Sequence, residues 1–197
     1  MLHTTFRRAK EANACIWSYR KFAKFKGGVK KWGYDTPFPL SEVLEVCGLD
    51  DTLWALQIVI EPADKEIRLL ACDYAKRVLP IFEKRFPEDK RPRQAIEASR
   101  KYAQGKISIE QLRVASDASW AVVWDVVQDA QAASDAAQVA SWAVASAALD
   151  ILDVSDIAQD ARSAIWYAWA AWDAPRTALA AERKWQERRL LKLLNAA

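Results

Sequence analysis

Residues 114–175 read VASDASWAVVWDVVQDAQAASDAAQVASWAVASAALDILDVSDIAQDARSAIWYAWAAWDAP, and the spacing of apolar residues within this stretch decides the fold. Ala130, Ala133, Ala137, Ala140, Val144, Ala147 and Ile151 recur at steps of three and four, the period of a helix seam. Because its knobs are mostly alanine, a neighbouring helix can approach to the short end of the roughly 8–10 Å range of interaxial distances. A second seam, Ile157, Ala161, Ile165, Ala168 and Trp172, predicts the antiparallel partner, with the turn over residues 152–156. No segment of the chain alternates like a strand for more than a few residues. The expected fold is therefore all-α, a multi-helix bundle with antiparallel alanine-seamed helices in its C-terminal half.

The same stretch holds six of the ten tryptophans, nine aspartates and a single base, Arg162, with no lysine between Lys106 and Lys184. Trp166, Trp169 and Trp172 advance in steps of three residues and form a slanting aromatic stripe. They either fill the space opposite alanines or supply a binding hot spot, for which tryptophan is the most enriched residue. Asp153, Asp156 and Asp160 share one helical face, as do Asp125 and Asp129. Like charges so placed repel by a few tenths of a kcal/mol per pair. A solvated face, a basic protein partner and a divalent ion are the readings that pattern allows.

Length and composition exclude several classes. A chain of 197 residues, 52% hydrophobic, can bury a core unaided. The first ten residues lack the apolar run of a secretory signal, and the longest apolar runs are shorter than the roughly 20 residues of a membrane span. Cys15, Cys47 and Cys72 lack metal-ligand spacing and read as reduced thiols of a cytoplasmic protein. His3, the only histidine, is expected at a loose N-terminus, which removes the commonest general base and most transition-metal sites. No nucleophile–base pair, metal set or glycine-rich phosphate loop can be named, so a non-enzymatic protein without cofactor or metal is expected.

The net charge of +3 conceals alternating blocks: +8 over residues 1–34, −7 over 35–66, +6 over 67–113, −8 over 114–175 and +4 over 176–197. Such blocks are either solvated faces that attract one another within the fold or a bipolar surface with an outside partner. In the first block Trp17, Tyr19, Phe22, Phe25, Trp32 and Tyr34 are interleaved with lysine and arginine. That pattern packs its rings inward or grips nucleotides. In the third, Arg91, Arg93, Arg100 and Lys101 form a cluster that is either an ion-pair ladder with Glu97 or an anion site at a helix N-terminus.

Glycine and proline mark the helix ends. A first helix is expected over residues 4–25, stopped by Gly27 and Gly28, with a connecting loop over 30–40. Short helices follow at 41–46 and, capped by Asp50 or Asp51, at 52–60. Pro62 suits the first turn of the next helix, whose apolar face is Ile67, Leu70, Ala71, Tyr74, Ala75 and Val78. Pro80 kinks or divides that helix and Pro87 stops it. Pro92 opens another that ends at Gly105, and Ser108 with Gln111 makes a capping box for the next. A final basic helix begins near Pro175 and reaches Asn195. The expected division is a basic aromatic segment over 1–40, a helical core region over 41–113, and the Ala/Trp/Asp-rich hairpin with its basic helix over 114–197, in one compact domain.

Leu53-Trp54-Ala55-Leu56, Leu70-Ala71-Cys72-Asp73-Tyr74-Ala75, Val78-Leu79-Pro80-Ile81-Phe82-Glu83 and Arg91-Pro92-Arg93-Gln94-Ala95-Ile96-Glu97-Ala98 resemble a putative immunity protein family of bacteria and phages. Many members continue into an Ala/Trp/Asp-rich tail that ends in Trp-Gln-x-x-Arg-Leu, close to Trp185-Gln186-Glu187-Arg188-Arg189-Leu190 here. The resemblance covers residues 41–194, and it implies neutralisation of a protein toxin or an antiviral defence effector, as an immunity or phage counter-defence protein. On that reading Trp166, Trp169, Trp172 and the aspartates Asp125, Asp129, Asp153, Asp156 and Asp160 face the partner. The alternative is a sponge that holds a nucleotide signal in a Trp-lined pocket. Alanine seams of this kind also suit a homodimer, and no membrane partner is expected.

Overall fold

The structure, a computed structural model, describes residues 1–128 and 176–196. Both alanine seams fall outside the described residues. The fold is all-α, with one two-residue antiparallel pair among the described residues, β1 (His3–Thr4) and β2 (Phe38–Pro39), in register His3 with Pro39 and Thr4 with Phe38. Proline at position 39 has no N–H to donate, which suits so short a pair.

The first expected helix is two: α1 (Phe6–Glu11) and α2 (Ile16–Phe25). Asn13 takes the left-handed conformation at φ 57°, while Ala14 N–H donates to Ala9 O at 2.9 Å and Asn13 N–H to Lys10 O at 3.1 Å. These are the paired bonds of a Schellman stop, with asparagine where glycine is usual. Gly27, at φ 78°, ends α2 with the same pair of bonds, Gly28 N–H to Ala23 O and Gly27 N–H to Lys24 O. The expected loop over 30–40 instead carries one helical turn, α3 (Val29–Trp32), and then β2.

Helices α4 (Leu40–Cys47) and α5 (Leu49–Ala55) share a single boundary residue, Gly48, which closes the first and opens the second at φ 93°. Asp50 and Asp51 are thus not caps. They occupy the first turn of α5, where a carboxylate complements the helix dipole. The helix expected to reach residue 60 gives way to a 3-10 turn at Leu56–Ile58. The chain there is drawn out toward β1: Thr4 Oγ1 donates to Ile58 O at 2.7 Å and Ile60 N–H to His3 O at 2.9 Å. His3 is correspondingly fixed, its N–H and Nδ1 both on the Glu61 carboxylate at 2.8 and 2.7 Å.

Pro62 lies just before α6 (Asp64–Arg85), not within it. Helix α6 buries Ile67, Leu70, Ala71, Tyr74 and Ala75, and continues on the same stripe to Leu79 and Phe82. Pro80 neither divides nor ends it, because Pro80 and Lys76, whose carbonyl loses its partner, both lie on the exposed side. Phe86, ahead of Pro87, leaves the helix at ψ 71°. Helix α7 (Arg91–Ala103) has Pro92 in its first turn and ends through Gly105. The capping box forms as expected for α8 (Ile109–Gln128): Ser108 N–H donates to Gln111 Oε1 at 2.9 Å and Gln111 N–H to Ser108 Oγ at 3.3 Å. Helix α9 (Arg176–Ala196) is the basic helix.

Helix α7 packs between α6 and α8, while α9 lies against α6 and α4. The core therefore draws on widely separated residues: Leu2, Leu40, Leu53, Ile67, Leu70 and Leu194 are each fully buried in one cluster. Leu2 N–H also donates to Leu194 O at 3.3 Å, and Leu40 N–H to Leu2 O at 2.9 Å. Beside it Phe6, Phe22 and Phe38 form a smaller aromatic cluster, with the Phe22 and Phe38 rings 4.6 Å apart. The Leu194→Ala variant is expected to lose about 2–5 kcal/mol of stability, as a buried leucine truncated in a closed core does. Urea denaturation monitored by circular dichroism measures that loss.

Candidate functional site

The charged side chains converge where α6, α7 and α9 meet. Asp73 of α6 accepts hydrogen bonds from Arg100 of α7 and Arg189 of α9, so one carboxylate ties three helices. One turn on, Arg77 reaches Glu182 of α9 at 2.8 Å, and the Glu182 side chain is only 1% exposed. The Tyr74 hydroxyl donates to Gln186 O at 3.1 Å, and burial raises its pKa strongly. Trp185 lies against this seam, with the Tyr74 ring edge-on at 5.9 Å and the Arg77 guanidinium over its ring at 4.7 Å. The segment Trp185–Leu190 thus supplies a ring, a buried amide, a paired arginine and the fully buried Leu190 in six residues.

The outward side of α9 is different. A groove of about 330 Å³ is lined, among the described residues, by Trp185, Arg188, Arg189 and Lys192. Arg188 Nε donates to Lys184 O at 3.2 Å, along the helix, and no carboxylate pairs with Arg188 or Lys192 among the described residues. The neighbouring acids are already engaged: Glu187 with Arg183, Glu182 with Arg77, and Asp73 with Arg100 and Arg189.

The three arginines of the cluster expected at the start of α7 are each paired with a carboxylate. Arg93 forms a two-bond fork on Glu83 of α6, both at 2.7 Å, instead of a ladder with Glu97 on its own helix. Arg91 forks onto Asp89, whose Oδ1 also accepts the Arg91 backbone N–H at 3.0 Å and so caps the turn that opens α7. Arg100 is held by Asp73, and Lys101 is exposed. The bonds from Arg93 hold the Glu83 carboxyl below its ordinary value against the opposing effect of burial. Burial alone would push Asp89 up, but the bonds from Arg91 hold it low.

In the basic aromatic segment Phe22 turns inward, while Trp17 is 76% exposed and Phe25 53% exposed, beside exposed Arg20, Lys21 and Lys24. Lys26 folds back over the Trp32 ring at 3.8 Å and pairs with Glu42. A small apolar cavity of about 50 Å³ under α2 has Cys15 and Cys47 in its wall. The exposed Cys15 thiol is lowered in pKa by the N–H groups of Ser18 and Trp17, whereas burial raises Cys47 and Cys72. All three cysteines are free. Among the described residues no group of three potential metal ligands occurs, and no helix is long and apolar enough to cross a membrane.

Trp166, Trp169, Trp172, Asp129, Asp153, Asp156 and Asp160 lie outside the described residues. Asp125 belongs to α8, of which only the backbone is described at that position. The groove on α9 was not anticipated. The only signal for it in the sequence is the Trp-x-x-Arg-x-x-x-Lys spacing of residues 185–192, which places the ring and two cations on neighbouring turns.

Two variants test the junction. Arg77→Ala leaves the buried Glu182 carboxylate without its cation, and a loss of about 3 kcal/mol in urea denaturation is expected. Glu83→Gln tests the pH dependence. A carboxylate whose folded pKa lies below its unfolded value stabilises the fold above that unfolded value and loses the contribution as pH falls through the folded one. The wild-type urea midpoint should therefore fall as pH drops below about 4.5. In Glu83→Gln that fall should be shallower.

No curated protein and no solved structure gives a match. A family model, that of the Imm-5 like putative immunity protein, matches residues 60–193. The match begins within the connection before α6, so Leu53–Leu56 of the sequence resemblance lies outside it. It takes in α6, α7, α8, the whole of residues 114–175 and most of α9, including the Asp73 junction. The chain belongs to the Imm-5 like putative immunity protein family.

Proposed function

We propose that this protein is a non-enzymatic inhibitor that binds and blocks a protein toxin or an antiviral defence effector, as an immunity or counter-defence protein. Family membership over residues 60–193 carries the reading, since an immunity protein acts through a protein partner. The acidic, tryptophan-rich stretch lies wholly inside the matched segment, with a net charge of −8 over residues 114–175. A partner with a basic surface is the matching chemistry. Opposite charge speeds encounter and rejects wrong partners, while buried aromatic rings supply most of the affinity. In this reading Asp153, Asp156 and Asp160, with Asp125 and Asp129, steer the partner, and Trp166, Trp169 and Trp172 anchor it.

The test is a matched pull-down from host lysate with the wild-type protein and the Asp153→Asn/Asp156→Asn/Asp160→Asn variant. The partner recovered by the wild type is expected to fall by about tenfold or more with the variant, the effect of losing one well-desolvated charge pair. Equal recovery of the same partner contradicts the acidic contact face.

A further inference from the structure

We propose that the groove on α9 beside Trp185 binds a mononucleotide-sized anion, its base against the indole and its phosphate between Arg188 and Lys192. Three features of the groove converge on that ligand. Its volume, about 330 Å³, falls at the lower end of the roughly 300–1,000 Å³ of small-molecule sites. That size suits a single nucleotide better than a polymer or a protein segment. One wall is an indole, and a nucleobase has the π-face to stack on it.

The second feature is charge. Arg188 and Lys192 stand one helical turn apart on the groove and have no carboxylate partner among the described residues, where Glu187, Glu182 and Asp73 are each engaged by another arginine. Two cations lining one groove concentrate a counter-anion there. Phosphate is the strongest match, because a guanidinium meets it through two parallel hydrogen bonds and an ammonium as a point charge.

The third is preorganisation. Arg77 and Tyr74 fix the Trp185 ring, Asp73 fixes Arg189, and the bond from Arg188 Nε to Lys184 O sets that side chain along the helix. Trp185 and Arg188 therefore lose little side-chain freedom when a ligand enters, and Lys192, exposed at the rim, is the group that the ligand must order. None of these residues belongs to the surface proposed for the effector. The two readings therefore fail separately, one by pull-down and the other by titration.

The experiment is isothermal titration calorimetry of the full chain with the four ribonucleoside 5′-monophosphates at low salt, with inorganic phosphate and adenosine as the separate halves. At least one nucleotide is expected to bind one-to-one and more tightly than either half. The Arg188→Gln/Lys192→Gln variant, at exposed positions that leave the core untouched, is expected to weaken it about tenfold or more, as loss of a charge-assisted bond does. Trp185→Phe keeps a ring in the seam and should weaken binding less than the charge variant. An unchanged urea midpoint confirms that each variant is folded. No saturable heat from any of the four nucleotides overturns the proposal, as does equal binding by the charge variant or by phosphate alone.

Discussion

The docking of α9 against α6 is the constraint on which the rest of the structure depends. Two kinds of contact hold it. Leu190, Leu193 and Leu194 enter the core, while Asp73, Tyr74 and Arg77 of α6 each take a partner from α9. The apolar contacts supply most of the gain, at roughly 1.5–3 kcal/mol for each fully buried leucine. The polar ones fix register: a carboxylate shared by Arg100 and Arg189 cannot be satisfied if either helix slides by a turn. With α9 in place, Leu194 meets Leu2, and through Leu2 the β pair and α4 are drawn onto the same core. Residues outside the family match, Leu2 and Leu40 among them, thus share one core with α6 and α9.

Alternation of charge along the chain becomes pairing across the fold. Lys26 of the first block meets Glu42 of the second, Arg7 meets Asp35, and Arg183 of the last block meets Asp50. The third block pairs part of its excess of bases within itself, through Arg93 with Glu83, Arg91 with Asp89 and Arg100 with Asp73. Most of these pairs are partly exposed and each contributes little to stability. Among the described residues, exposed cations without a carboxylate partner remain on several faces, including Lys21 and Lys24 of α2, Lys101 of α7 and Arg188 and Lys192 of α9. Residues 114–175 carry a net charge of −8 in the sequence, and the proposed effector and nucleotide readings assign one ligand to each sign.

Helix identity was legible because it rests on short-range chemistry. Gly27 and Gly105 stop helices, Pro87 ends α6, and Ser108 with Gln111 caps α8, since each acts on its own few neighbours. Asn13 was missed because asparagine takes the left-handed conformation only when its surroundings favour it, here by bringing α2 back over Phe6. The β pair, two residues long, has no periodicity to detect. Contacts were the least legible. Arg93 found Glu83 on another helix, and Asp73 found Arg100 and Arg189, separations of 27 and 116 residues that no local pattern encodes. The groove on α9 was hidden for the same reason, as it exists only once Arg77 and Tyr74 fix Trp185 from α6.

Native-state hydrogen exchange tests most directly the claim that α9 closes one cooperative core around the first residues of the chain. The informative amides are Leu2, which donates to Leu194, and Leu40, which donates to Leu2, compared with the central turns of α6. The account predicts that all of them exchange through the same global opening, with equal opening free energies and equal denaturant dependence. Exchange of Leu2 and Leu40 through a separate, lower-energy opening, with α6 still protected, would contradict it.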